Sequence, residues 1–286
     1  MNCSVCPRKC GLPRGSGYCG VPALPVIARA ALHGFEEPVI SGTRGSGTIF
    51  FAGCNMRCVY CQNFAVSRAQ TGTEITVKRL TEIMLRLEDE GAHNINLVTP
   101  SHYTEAITEA LAAARLKIPA VYNTSGYDDV GALKKISPYI SIWLTDFKYV
   151  NPDTAARYSG CADYPAVAAE AIRYMLSRGA PVIGADGLMR SGVIIRHLVL
   201  PALRKESIAA VEYLHNNFGN AYLLSLMAQY TVVPECACRE LRRRLTTYEY
   251  NSVADVARRL GTKGFIQDIT AAGAEYIPDF GGKTGC

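Results

Sequence analysis

Three cysteines, Cys54, Cys58 and Cys61, crowd into the stretch FFAGCNMRCVYCQNF with the spacing C-x3-C-x2-C. Thiolates this close cannot reach across a large fold, but they can wrap one compact, soft metal centre. A cubane iron–sulfur cluster ordinarily takes four cysteines, so three from one loop leave one iron open to another ligand. Free buried thiols and a zinc site are the plainer readings. Zinc ligands more often come as two separated pairs, and no such pair flanks this triplet. Disulfides fit poorly. The eleven cysteines are an odd number, and the chain starts at Met1 without a charged, apolar, small-residue leader. Clustered cysteines in such a chain predict metal ligands in a reducing, cytoplasmic compartment.

A second set precedes the first. Cys3, Cys6, Cys10 and Cys19 read C-x2-C-x3-C-x8-C, with Gly11, Gly15, Gly17 and Gly20 among them. Four soft ligands in so short a stretch suit a closed metal site, and zinc or an auxiliary [4Fe–4S] cluster satisfies the count equally. Such a site would fold a segment that has no core of its own. If it holds iron and sulfide, it can also relay electrons. Cys236 and Cys238 are two apart and would not share a helix face, so they read as free thiols. Cys161 and Cys286 have no evident partner.

These residues need elements to position them. Residues 1–44 are rich in Cys, Gly and Pro, with little periodicity, and are assigned to a cysteine-rich N-terminal segment. Residues 45–286 alternate apolar runs with helical patterns. Strands are expected at 48–54, 94–100, 120–126, 141–148, 193–201 and 221–230, with a short edge strand at 264–269. Helices are expected at 77–91, 103–116 and 206–218. This alternation predicts an α/β fold with a parallel sheet and helices outside it. The regular part is nearer six units than eight, which predicts a partial (β/α)6 TIM-like barrel. The C-terminal ends of such strands carry function. Thr99 and Ser101, Asn123 and Ser125, Asp146 and Lys148, and Arg196 fall at successive strand ends. His102 and His197 lie beside them. His197 should alternate to the opposite strand face from Arg196. Ordinary turns, helix caps and a buried salt bridge would explain the same residues without chemistry. His33, Glu36 and Glu37 read as a strand or turn leading into the barrel.

Composition narrows the class. Hydrophobic residues make up 49% and charged residues 19% of the 286, which supports a large core and argues against disorder. No apolar run approaches the roughly 20 residues of a membrane span. The net charge of +5 permits an acidic partner without demanding one. The basic run RELRRRL reads as a solvated helix face, or as a docking patch for a protein or RNA.

The cysteine triplet, with Tyr60 before its last member, resembles the radical S-adenosylmethionine (SAM) superfamily. The stretches CSVCPRKCG, LHGFEEPVISGTRGSGTIFFAGCNMRCVYCQN, NLVTPSHY, VYNTSGY, DFKY, IRHLVLP and MAQY narrow the likeness to the pyruvate formate-lyase activating enzyme-like group. The resemblance implies a [4Fe–4S] cluster on Cys54, Cys58 and Cys61, with SAM on the open iron. It implies an electron from flavodoxin or ferredoxin, SAM cleavage to methionine and a 5′-deoxyadenosyl radical, and hydrogen abstraction from a substrate. That substrate could be a glycyl-radical enzyme, or another peptide, protein, RNA or small molecule. Tyr60, Asn63, Thr99, Ser101, Asn123, Ser125, Asp146 and Arg196 become candidate SAM contacts. One departure stands out. Activating enzymes usually carry Gly-Gly-Glu-Pro at the second strand end, where this chain has Val98-Thr99-Pro100-Ser101-His102. A non-catalytic iron–sulfur or zinc protein is the reading from another class.

Overall fold

The computed structural model describes residues 3–69, 71–233 and 236–269. Its strands are β1 (Val26–His33), β2 (Ser46–Phe51), β3 (Thr73–Glu74), β4 (Ile95–Val98), β5 (Ala120–Thr124), β6 (Ile142–Asp146), β7 (Val182–Ile183), β8 (Met189–Leu198), β9 (Leu223–Met227) and β10 (Gly264–Ile266). The helices are α1 (Pro38–Ser41), α2 (Phe64–Ala69), α3 (Val77–Asp89), α4 (Thr104–Ala114), α5 (Val130–Ile136), α6 (Pro152–Ser159), α7 (Tyr164–Leu176), α8 (Arg204–Phe218) and α9 (Thr247–Arg259).

The sheet runs β10-β9-β8-β6-β5-β4-β2-β1-β3. All contacts from β2 to β10 along this path are parallel. The expected strands and helices are present, and β10 is the short edge. The fold is the expected α/β open barrel, whose end strands do not meet. β1 was anticipated only at its end, as a strand or turn near His33 leading into the barrel. It lies in the segment assigned to residues 1–44, yet it pairs antiparallel with β2 from Ile27↔Phe51 to His33↔Ser46. It therefore joins the segment before residue 45 to the sheet that follows. β1 occupies the edge of β2 where a closed barrel would place its last strand.

Local sequence explains the elements that carry the site. The parallel strands are covered on both faces, so they are nearly continuous in apolar residues, as in β5, where all of Ala120–Thr124 is buried. α3 buries Leu80, Ile83, Met84 and Leu87 on one face, and Thr76 caps it by accepting the Arg79 N–H. α6 starts at Asn151, whose side chain accepts from Asp153 and Thr154, and stops at Gly160 in the left-handed region. α1 plugs the N-terminal end of the barrel: Ile40 packs with Val121, Ile142, Leu144, Met189 and Ile194. The residues before it, Glu36 and Glu37, thereby stand inside the barrel, above this apolar layer. No helix among the described residues is long and apolar enough to cross a membrane. Cys286 lies outside the described residues.

The basic run departs from the helix-face expectation. Arg239–Leu241 is a single short turn. Arg242 donates to the Cys236 carbonyl at 2.8 Å, and Arg243 pairs with Glu249 at 2.6 Å. The run is partly consumed in tying the segment before α9 to that helix. Cys236 and Cys238 lie outside any helix, and neither forms a disulfide.

Candidate active site

The loop after β2 carries Cys54, Cys58 and Cys61. Each sulfur accepts one hydrogen bond: Cys54 from the Met56 N–H at 3.4 Å, Cys58 from the Ser159 hydroxyl at 2.9 Å, and Cys61 from the Ser67 hydroxyl at 3.5 Å. None is in a disulfide. The loop is clamped by the Asn55 side chain donating to the Tyr127 carbonyl at 2.8 Å and by the Val59 N–H donating to the Tyr158 carbonyl at 2.9 Å. Burial and the neighbouring thiols push the Cys61 thiol up to about 12, and burial raises Cys54 as well. Bare, Cys54 and Cys61 resist ionising, so a cation or cluster is what would make them thiolates. Tyr60 is buried, and its hydroxyl accepts from Tyr149 at 2.6 Å. Tyr149 is in turn 2.9 Å from the Ser159 hydroxyl that donates to Cys58. Tyr60, Tyr149, Ser159 and Cys58 thus lie in one run of adjoining polar groups.

These three cysteines line one end of a cleft of about 1330 Å³, counted with its open mouth. Tyr60, Asn63, Thr99, Asn123, Ser125, Asp146, Lys148 and Arg196 line the same cleft. The strand ends converge on it because β2, β4, β5, β6 and β8 run parallel. Thr99 turns the chain at φ 61°, a conformation uncommon for a residue other than glycine, and its N–H donates to the Asn123 carbonyl at 2.9 Å. Gly126 is required at the end of β5. Its φ is 83°, and a Cβ there would lie 2.3 Å from the Asp146 carbonyl oxygen.

Ser101 does not reach the cleft. Pro100 is followed at once by a short helical turn, Ser101–Tyr103, which draws the side chain inward. Ser101 is buried, with its hydroxyl 3.2 Å from that of Thr124. His102 also points away, with Nε2 2.8 Å from the Ala52 carbonyl. His197 lies on the opposite strand face from Arg196 and sits 2.7 Å from the Phe147 carbonyl through Nδ1.

The floor is a chain of alternating charge. Lys148 Nζ is 2.5 Å from Asp146 Oδ2, and Arg196 Nε is 2.9 Å from Asp146 Oδ1. Arg196 Nη2 donates to Asn123 Oδ1 at 2.6 Å, and Nη1 is 3.5 Å from Glu36 Oε2. Asn96 donates to Glu36 at 2.8 Å. Burial alone would raise Asp146, but Lys148 and Arg196 hold its carboxyl below the usual range. Burial raises Glu36 and Glu37 despite Arg196. Arg196 is already satisfied by protein groups on three sides. Glu36 is the residue that sequence reasoning set aside. The available signal was an acidic pair embedded in the apolar stretch LHGFEEPVI.

Residues 48–220 match the radical SAM superfamily. The chain belongs to that superfamily. It is 28% identical over 273 residues to an uncharacterised protein of Methanocaldococcus jannaschii, covering 90% of this chain and 75% of that one. It is 24% identical to the pyruvate formate-lyase-activating enzyme of Clostridium pasteurianum, covering 70% of this chain and 82% of the enzyme. Among solved structures, Streptococcus suis SuiB bound to S-adenosylmethionine shares the fold with TM-score 0.55 at 14% identity. That match covers 77% of this chain, which spans about half (50%) of SuiB. The structure of anSMEcpe with bound AdoMet aligns with TM-score 0.50 at 13% identity, over 80% of this chain and 62% of that one. Membership in the superfamily implies a [4Fe–4S] cluster and SAM. The residues present fit that cofactor: three cysteine sulfurs from one loop, each with a hydrogen-bond donor, face a polar cleft.

Proposed function

We propose that this chain reductively cleaves SAM and uses the resulting radical on a substrate held in the same cleft. The observation that carries this reading is the meeting of Cys54, Cys58 and Cys61 with the polar strand ends in one cleft. Those cysteines would hold the cluster, which when bound supplies the low-potential electron that breaks the sulfonium carbon–sulfur bond. The chain's own residues orient the partners and exclude water. Tyr60 and Asn63 would lie against SAM beside the loop. Thr99, Asn123 and Ser125 offer it hydrogen bonds from the strand ends. Asp146 and Arg196 form the charged floor, and the three-way tethering of Arg196 makes it a rigid donor rather than a free clamp. The reductant would be flavodoxin or ferredoxin, in the cytoplasm.

Two substrate readings differ in support. Activation of a glycyl-radical enzyme is favoured by the likeness to the Clostridium pasteurianum activating enzyme. Modification of another peptide, protein, RNA or small molecule is favoured by Val98-Thr99-Pro100-Ser101 standing where Gly-Gly-Glu-Pro is usual. The test begins with anaerobically reconstituted protein, reduced in the presence of SAM. It should form 5′-deoxyadenosine, and the Cys54→Ala/Cys58→Ala/Cys61→Ala variant should form none. Product from that variant would refute the assignment. Mixed with a candidate glycyl-radical enzyme, the wild type should generate a glycyl radical signal in electron paramagnetic resonance if the first substrate reading holds. Cleavage of SAM without that signal would favour the second.

A further inference from the structure

The charge of this chain is unevenly spread. Residues 1–70 carry seven Lys or Arg and two Asp or Glu, and the rest of the chain carries 23 of each. The whole net charge of +5 therefore resides in the segment that bears Cys54, Cys58 and Cys61. Its two acids are Glu36 and Glu37, both buried within the barrel. Among residues 3–69 no carboxylate is left to face outward.

Five of the cations, Arg8, Lys9, Arg14, Arg57 and Arg68, gather around the cysteine loop. Arg8 Nε donates to the Asn55 carbonyl at 2.8 Å, the Tyr18 hydroxyl donates to the Met56 carbonyl at 3.1 Å, and Arg68 Nη2 donates to the Arg57 carbonyl. Asn55, Met56 and Arg57 are the three residues between Cys54 and Cys58. Each is held by a side chain of the same basic wall. Tyr18 is shared, since the guanidinium groups of Arg8 and Arg57 lie 4.0 Å and 5.2 Å from its ring centre. Lys9 is exposed beside Arg8, and Arg14 donates to the Pro22 and His102 carbonyls.

These charges are not neutralised within the fold. Their hydrogen bonds go to carbonyls and thiols, and among the described residues none of the five forms an ion pair. Exposed cations elsewhere do pair, as Arg79 does with Glu82 and Arg190 with Asp186. An acid that comes near is Asp163, which accepts from the Tyr127 hydroxyl at 2.9 Å, while Arg8 lies 5.4 Å from that ring. The wall is also separate from the cleft, because none of the five cations lines it. A substrate has to reach the cleft, so a macromolecule seated on this wall is not the substrate. It would meet the Cys54–Cys58 stretch through Asn55, Met56 and Arg57. A partner that delivers electrons needs that position, close to the cluster ligands and outside the cleft.

We propose that Arg8, Lys9, Arg14, Arg57 and Arg68 form the docking surface for an acidic electron-donor protein. Its carboxylates meet the unpaired cations in a small, charge-guided complex of the kind transient redox pairs make. One electron leaves the donor's reduced flavin or iron–sulfur centre for the cluster, and no bond forms or breaks. The proposal rests on the SAM reading, which requires such a donor.

The probe is oxidised flavodoxin, titrated by calorimetry into the anaerobically reconstituted full chain. Its Kd should rise about tenfold or more between about 20 and about 200 mM salt. Cys3, Cys6, Cys10 and Cys19 line one small cavity with Arg8 and Arg14, so the test reverses Lys9 and Arg57, which do not line it. Lys9→Glu/Arg57→Glu should keep the wild-type iron content and bind flavodoxin about tenfold more weakly at the lower salt. Lys117→Glu/Lys134→Glu makes the same change in net charge at exposed lysines elsewhere, and it should bind within about twofold of wild type. Equal weakening by the two variants, or none by the first, would overturn the docking surface. So would an absence of binding by the wild type at the lower salt. If the first variant loads less iron, Lys9→Glu alone decides: binding about threefold weaker supports the surface, and unchanged binding overturns it. Displacement of flavodoxin by a single-stranded RNA would assign the wall to nucleic acid and overturn the proposal. Flavodoxin binding in the expected pattern, without 5′-deoxyadenosine on reduction, would refute the SAM chemistry and leave the surface standing.

Discussion

Arg196 shows how a residue can be placed by sequence and yet have its circumstances hidden. Its strand end and its inward face are legible from alternation along IRHLVLP. Its partners are not, because Asp146, Asn123 and Glu36 come from three other elements. Glu36 in particular reaches the floor from a segment threaded under the barrel, which no periodicity announces. The guanidinium faces three carboxyl groups, Asp146, Glu37 and Glu36. Removing it leaves Glu36 without a cation and Asp146 with Lys148 alone. Breaking a buried pair in this way costs about 3–5 kcal/mol. Arg196→Ala should therefore lower the unfolding free energy by about 3 kcal/mol, the low end, since Lys148 remains. Adding Glu36→Gln should recover part of that loss, because the amide needs no counter-charge. Urea unfolding under anaerobic conditions of both single variants and the double variant measures the coupling. Strict additivity would show that the two side chains do not share a charge balance.

At the scale of elements, the parallel strands and their following helices were readable because each strand is a short apolar run closed by polar residues. β1 was not. Its burial follows no period of two along VIARAALH, and it sits in a Gly-, Pro- and Cys-rich context. α7 escaped for a related reason: half of its buried residues, Ala168, Ala169 and Ala171, are alanine, which carries little hydrophobic contrast. Two element ends give tests. Gly126→Ala would force a side chain against the Asp146 carbonyl at a positive φ, so it should cost about 2–4 kcal/mol and disturb Ser125 and Asp146 together. Thermal unfolding reports the first effect and SAM titration the second. α9 begins with a reciprocal cap in which Thr246 and Glu249 satisfy each other's backbone N–H groups. Thr246→Ala should cost about 1 kcal/mol without touching SAM binding. A large loss of SAM affinity in that variant would mean the C-terminal region communicates with the cleft.

For the whole molecule, acid stability should reflect buried imidazoles. Burial pushes His197 down to about 4 from its ordinary 6.5, so it stays neutral in the fold while the unfolded chain takes up a proton below pH 6.5. Its contribution is complete above pH 6.5 and is lost as the pH falls towards 4. The loss is of the order of 3 kcal/mol. His102 is shifted the same way, also to about 4. His197→Gln should flatten stability against pH between 6.5 and 4, removing of the order of 3 kcal/mol of the change, as read from urea midpoints across that range. An unchanged slope would mean that His197 meets water in solution.

The unclosed sheet has a mechanical consequence. A closed barrel fixes its own circumference, because every strand is bonded on both sides. This sheet is a strip ending in β3 on one side and β10 on the other. Such a strip can curl or flatten without losing an inter-strand hydrogen bond, as a coiled ribbon does when its ends are drawn apart. Its strand-end residues would then spread or gather as a set. The width of the mouth would then be a soft coordinate of the molecule, limited where Asn55 and Val59 tie the cysteine loop to Tyr127 and Tyr158 on the far side of the sheet. A bulky guest could be admitted by bending the ribbon rather than by melting any part of it.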